Sequence, residues 1–142
     1  MYVFDLDGTL ADASHRLYHI TNKPKNWPAF FESCSDDSLI EPIAKIATAL
    51  IIRGEIIAYV TGRPEGCRNR TIHWLHRNRL WFDNTYLIMR SAEDKRPDEV
   101  VKPELIKQLP YPVTAIFEDR TRVVQKWREL GYTCLQVCDG NY

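Results

Sequence analysis

The 142-residue chain is 44% hydrophobic and 27% charged, and its 19 basic and 19 acidic residues cancel at neutral pH. This balance suits a globular domain and excludes a global field for a polyanion, so any nucleic-acid site must be a local patch. The apolar runs are far too short to cross a bilayer, and Met1-Tyr2-Val3-Phe4-Asp5 lacks a basic region followed by an apolar stretch. The expectation is therefore a cytoplasmic chain with no membrane partner. Cys34, Cys67, Cys134 and Cys138 lack metal-site spacing and read as reduced thiols.

Taken in chain order, a first short strand over 2–4 runs into Asp5-Leu6-Asp7-Gly8-Thr9. Residues 14–38 follow, holding Pro24, Trp27, Pro28, Phe30 and Phe31. They read as a small flap or cap inserted into one domain that spans 1–142, since long loops in compact domains are often lids. Ile43, Ile46, Ala47, Leu50 and Ile51 recur at spacings of three and four, which predicts a helix over 40–52. A strand over 56–60 leads into Thr61-Gly62-Arg63, and a helix over 68–80 carries Ile72, Leu75 and Leu80. A strand over 85–89 ends on Arg90-Ser91, and a short helix over 103–109 begins at Pro103, which fits a first turn. A strand over 113–117 ends on Glu118-Asp119-Arg120. A helix over 120–130 stops at Gly131, and a last strand over 134–137 precedes Asp139 and Gly140. Alternation of this kind predicts βαβ units: a three-layer α/β sandwich around a five-stranded, parallel, Rossmann-like sheet.

In such a sheet, ligands bind beyond the carboxyl ends of the strands. Those ends here carry Asp5, Asp7, Glu118 and Asp119 beside Thr61, Arg63 and Arg90. Clustered carboxylates repel unless a cation neutralises them, and magnesium takes a few carboxylate or carbonyl oxygens. Asp5, Asp119 and a backbone carbonyl near Asp7 offer such a set. Thr61, Arg63 and Lys102 would then meet phosphate oxygens, and Gly8 would let the chain turn and aim N–H groups at them. One carboxylate is left as a nucleophile and a second as general acid and base, the parts of a phosphoryl-transfer site.

The Asp-x-Asp-Gly-Thr sequence after a short apolar strand resembles the first motif of the haloacid dehalogenase-like phosphatases. The other motifs follow in order: Thr61 in "VTGR", Lys102 in "EVVKPE" and the acids of "FEDR". The stretches "RSAEDKRPDEVVKPELIKQL" and "AIFEDRTRVVQKWRELGYTCLQV" look similar to the 3′-phosphatase domain of phage-type polynucleotide kinases. The resemblance implies that family's strand order, a minimal cap and a magnesium-dependent phosphomonoesterase. It implies Asp5 as the nucleophile that forms an aspartyl-phosphate and Asp7 as acid and then base, with Thr61 and Lys102 on the phosphoryl oxygens. It places Arg16, Gly62, Arg63 and Asp98 toward the substrate, with Arg90 a further candidate contact. It puts Mg2+ on Asp5, Asp7 through its carbonyl, and Asp119. Glu118 stands where the family has Asp, and its longer side chain is assigned either a water-mediated contact or the job of fixing Lys102.

No Gly-x-x-x-x-Gly-Lys-Ser/Thr occurs, so nothing argues for a kinase half, and a separate kinase or ligase partner stays open. The first-choice substrate is a phosphorylated nucleic-acid 3′ end. The alternatives are a nucleoside monophosphate or, in a different class, a non-catalytic phosphate-binding module, against which both acids of the first motif are intact. Several residues have a second reading. Arg16 also reads as a flap surface residue, Asp98 as a helix N-cap, and the arginines of 63–79 as a solvated helix face. Lys23, Lys25 and Trp27 read either as a base-stacking group or as flap packing.

Overall fold

Five runs rich in Val, Ile, Tyr and Phe pair side by side, as buried parallel strands do. The computed structural model describes residues 1–140. The sheet is formed by β1 (Tyr2–Phe4), β4 (Ile57–Pro64), β5 (Thr85–Arg90), β6 (Ala115–Arg120) and β7 (Cys134–Gly140). Its order is β5-β4-β1-β6-β7, with every neighbouring pair parallel. Two further strands, β2 (Ala11–Asp12) and β3 (Ser38–Leu39), form a separate antiparallel pair.

Alternate strand residues face opposite layers. Phe4, Ile57, Tyr59 and Phe117 pack with Ala44 and Ala47 of α3 (Glu41–Ile52) and with Trp74 and Leu75 of α4 (Arg68–Arg77). Val3, Ala58, Val60 and Ile116 pack with Val101 and Leu105 of α5 (Asp98–Leu105) and with Val123, Val124 and Trp127 of α6 (Thr121–Glu129). The sheet is thus the middle of three layers, the α/β architecture predicted from the alternation. Among the described residues, no helix is long and apolar enough to cross a membrane.

The strand order reverses around β1: β4 lies on one side and β6 on the other. Side chains at the carboxyl end of β1 therefore stand in the crevice where ligands bind in open α/β sheets. Gly8 makes the turn that follows, with a φ of 88° that a side chain would disfavour.

Several element bounds differ from the sequence expectation. Strand β4 does not stop at 60; it carries Thr61, Gly62 and Arg63 through an irregularity in its pairing with β5 between Thr61 and Pro64. Strands β6 and β7 likewise run on through Arg120 and Gly140. Helix α5 begins at Asp98 rather than Pro103, so Pro103 lies inside it. A proline forfeits one backbone donor there, and the helix tolerates it because Val101 and Leu105 are buried against the sheet.

Residues 14–38 run from just after β2 to the first residue of β3, outside the five-stranded sheet. They contain α1 (Tyr18–Thr21) and α2 (Trp27–Glu32), and their Ile20 and Phe30 form a small cluster with Ala13. The excursion is clipped at its base, where β2 pairs with β3.

Candidate active site

Asp5 follows β1, Glu118 and Asp119 end β6, and Lys102 lies on α5; all four are buried. The Lys102 ammonium sits 2.8 Å from the Asp5 carboxylate and donates to Glu118 at 2.7 Å. Burial raises the pKa of Asp5 well above the ordinary carboxylate range, reinforced by the charge of Glu118 and opposed by Lys102. Burial raises Glu118 as well, again against Lys102. Burial alone would lower Lys102, but Asp5 and Glu118 hold its ammonium far above the usual lysine value.

Carboxylate oxygens of Asp5, Glu118 and Asp119 all lie within 4.8 Å of one another. One ammonium among three buried carboxylates leaves negative charge in excess, and hard oxygen donors are what magnesium takes. The residues therefore fit the ion. Glu118 accepts from Lys102 through one oxygen and from the Arg120 N–H, 3.3 Å away, through the other, so its contacts match the Lys102-fixing alternative. Asp119 accepts from Thr9 Oγ1 at 3.5 Å. A Cβ on Gly140 would lie 2.4 Å from Asp119 Oδ2, so only glycine lets β7 pass that close.

Asp7 faces a different environment. One of its oxygens accepts from Arg63 at 2.5 and 2.9 Å and from Arg16 at 2.7 Å. Burial would raise this carboxyl, but the charges of Arg63 and Arg16 outweigh it and bring it down to about 2. Its side chain thus stands on guanidinium groups, apart from the three clustered carboxylates. Arg16 and Arg63, expected to face the substrate, are both fully buried and stand behind Asp7.

Asp37 completes this group, and the sequence reading missed it. Its carboxylate accepts from Arg16 at 2.6 and 2.7 Å and from Arg63 at 2.7 Å, and pairs with His15 at 2.9 Å. Trp74 of α4 donates to its main-chain carbonyl at 2.8 Å. Two carboxylates and two guanidiniums alternate there, without excess charge. An acidic pair, Asp36-Asp37, directly before β3 is the only trace of this in the sequence, and such a pair reads as an ordinary turn.

Asp98 opens α5 and ties the far wall together. It pairs with Arg90 through one oxygen and accepts from Arg120 at 2.8 Å through the other. A Cβ on Gly62 would lie 2.6 Å from Asp98 Oδ1, so Gly62 supplies the space that Asp98 occupies. Thr61 is buried at the same strand end, and its hydroxyl accepts from the Arg63 N–H at 3.2 Å.

Asp5, Asp7, Thr61, Gly62, Arg90 and Asp98 all line one cleft of about 1170 Å³. Lys102, Arg16 and Arg63 stand behind that lining. The arginines of 63–79 do not share a face: Arg68 is bonded to Glu65 and Arg77 to the Ser35 carbonyl, while Arg70 lines the cleft.

The whole chain, residues 1–142, matches the family described as the polynucleotide kinase PNKP phosphatase domain. A curated relative is 29% identical over 141 residues, a candidate bifunctional polynucleotide kinase/RNA ligase from Autographa californica nuclear polyhedrosis virus; the match covers 94% of this chain and 19% of the viral protein. Among solved structures, a chain of the Pnkp1/Rnl/Hen1 complex superposes with a TM-score of 0.82 at 30% identity, over 99% of this chain and 46% of that one. The class C acid phosphatase of Bacillus anthracis, solved with tungstate, shares the fold at a TM-score of 0.68 and 16% identity, over 99% of this chain and 67% of that one. This chain therefore spans about a fifth of the viral relative and under half of the repair-complex chain. With the family matched from end to end, the chain belongs to the phosphatase domains of polynucleotide kinases, phosphoric monoester hydrolases of the haloacid dehalogenase-like superfamily.

Proposed function

We propose that this phosphatase is a magnesium-dependent polynucleotide 3′-phosphatase that works through an aspartyl-phosphate on Asp5. The observation that carries the reading is the division of the two acids between two environments. Asp5 lies among carboxylates and one lysine, while Asp7, two residues on, lies on two guanidiniums. A nucleophile and an acid/base need separate surroundings. A cation held at the carboxylates around Asp5 would offset the charges of Glu118 and Asp119 that raise its proton affinity.

In this reading a carboxylate oxygen of Asp5 attacks phosphorus as the bond from phosphorus to the ribose 3′-oxygen breaks. Asp7 gives that oxygen a proton. In the resting site the arginines hold Asp7 ionised; the arriving phosphate, with like charge beside it, raises its proton affinity, and Asp7 takes up from water the proton that it then gives. Water then gives its proton to Asp7, and its oxygen attacks phosphorus, releasing inorganic phosphate and the Asp5 carboxylate. Thr61 and Lys102 hold phosphoryl oxygens. Asp5, Asp119 and the Asp7 carbonyl would hold Mg2+, which when bound offsets charge between nucleophile and phosphate. Glu118 positions Lys102.

The 3′-polynucleotide substrate is supported by the family match and by the repair-complex relative, and a kinase or ligase partner by the names of both relatives. The test is hydrolysis of a 3′-phosphorylated oligonucleotide with magnesium. Asp5→Asn abolishes turnover with the thermal midpoint retained, and excess chelator stops the reaction. Residual turnover by Asp5→Asn removes the nucleophile assignment. Faster kcat/KM on a free mononucleotide replaces the reading with a nucleotidase.

A further inference from the structure

The cleft has an aromatic wall that the chemistry at Asp5 does not use. Trp27 opens α2 and lines the same cleft as Asp5 and Asp7, yet its side chain is 41% exposed. Phe31 lies nearly parallel to it, with ring centroids 5.9 Å apart at 20°, and Phe30 meets it edge-on at 5.8 Å. The turn that presents it is fixed as well: Asn26 caps α2 by accepting from the Ala29 N–H at 3.1 Å, and Pro28 follows in the first turn. A large ring braced from within the protein and left open toward a cleft is preorganised for a flat partner, because little rotamer freedom remains to be lost.

Charge narrows the partner. The Lys25 ammonium lies over the Trp27 ring, 5.5 Å from its centroid, on a flexible stem that a flat partner can move aside. Arg70, Lys95 and Arg122 line the cleft too, Arg70 within 4.0 Å of Glu32 and Arg122 within 3.8 Å of Glu99. An indole beside cations at the mouth of a phosphate site suits a ligand that joins a π-face to phosphodiesters. A sugar phosphate or an aliphatic phosphoester would leave Trp27 wet.

We propose that Trp27 stacks the nucleobase of the 3′-terminal nucleotide while Lys25 meets the adjoining phosphodiester, an inference that rests on the polynucleotide 3′-phosphatase reading. Trp27 then sets specificity and takes no part in the chemistry.

The test uses the wild type, Trp27→Ala and Trp27→Phe with three magnesium-supported substrates. These are a 3′-phosphorylated oligonucleotide, the same oligonucleotide with an abasic terminal nucleotide, and glycerol phosphate. Loss of one stacked base predicts that Trp27→Ala raises KM for the first substrate about tenfold, with kcat unchanged. The wild type shows a like rise on the abasic end, where Trp27→Ala adds nothing further, and Trp27→Phe recovers most of the loss. Glycerol phosphate is hydrolysed equally by all three. The proposal is overturned if Trp27→Ala matches the wild type on the base-bearing end, or loses equally on all three substrates. Absence of wild-type turnover on any 3′-phosphorylated oligonucleotide instead sinks the parent reading and takes this inference with it. Equal thermal midpoints of the Phe variant and the wild type show that the comparison concerns binding.

Discussion

Asp37 accepts from Arg16 and Arg63, pairs with His15, and carries no catalytic motif in its neighbourhood. Removing its charge leaves two buried guanidiniums facing the single carboxylate of Asp7. Breaking a buried pair from one side costs about 3–5 kcal/mol, since the remaining charge is dry and uncompensated. Asp37→Asn should therefore lower the unfolding free energy by an amount in that range, read from denaturant titration. It should also lower kcat with KM little changed, because Asp7 loses the groups that orient it. A loss below about 1 kcal/mol would show that the arginines do not need Asp37. Asp5 and Asp7 were legible from sequence because their motif is local. Asp37 was not, because its significance exists only once the end of the flap meets β4.

The elements show the same divide between local and distant signals. Helix α5 brings Asp98 and Lys102 to the site from positions four apart, which share one face. The sequence reading began this helix at Pro103, because proline favours a first turn, and kept an earlier start, with Asp98 as N-cap, only as its second reading. Burial against the sheet overrides that preference. Leu105 is a main anchor, so Leu105→Ala should cost about 2–5 kcal/mol, read from the denaturant midpoint. Loosening the helix should also weaken turnover, although Leu105 lies outside the cleft lining. Strand β4 was read as ending at Val60 for a related reason. Thr61, Gly62 and Arg63 look like loop chemistry, yet the strand stays paired with β5 at Thr61 and again at Pro64, and Gly62 and Arg63 sit in the irregularity between.

At the scale of the molecule, the alternation of strand and helix was legible throughout, since buried parallel strands and amphipathic helices write distinct periods. The crowding of Asp5, Glu118 and Asp119 has a global consequence. These groups are buried together at the centre of the sheet with one lysine among them. A cation that binds only the folded chain stabilises it by about 2.7 kcal/mol at a hundredfold excess over Kd. Magnesium should raise the thermal midpoint by several degrees, and chelator should reverse the rise. Asp119→Asn should abolish most of the response, and a full response in that variant would place the ion elsewhere.

The flap is rooted by Arg16 near its beginning and by Asp37 near its end, and both roots reach the group around Asp7. A cover of this kind is not an interchangeable part. Its outer portion, with Trp27, is free to be reshaped for other ligands, but exchanging the whole segment would take away Arg16, one of the two arginines on Asp7, and Asp37, which braces both. The shape of the cover and the setting of Asp7 are thereby tied in inheritance: a descendant that rebuilds the cover must keep its two roots, or leave Asp7 with Arg63 and without Arg16.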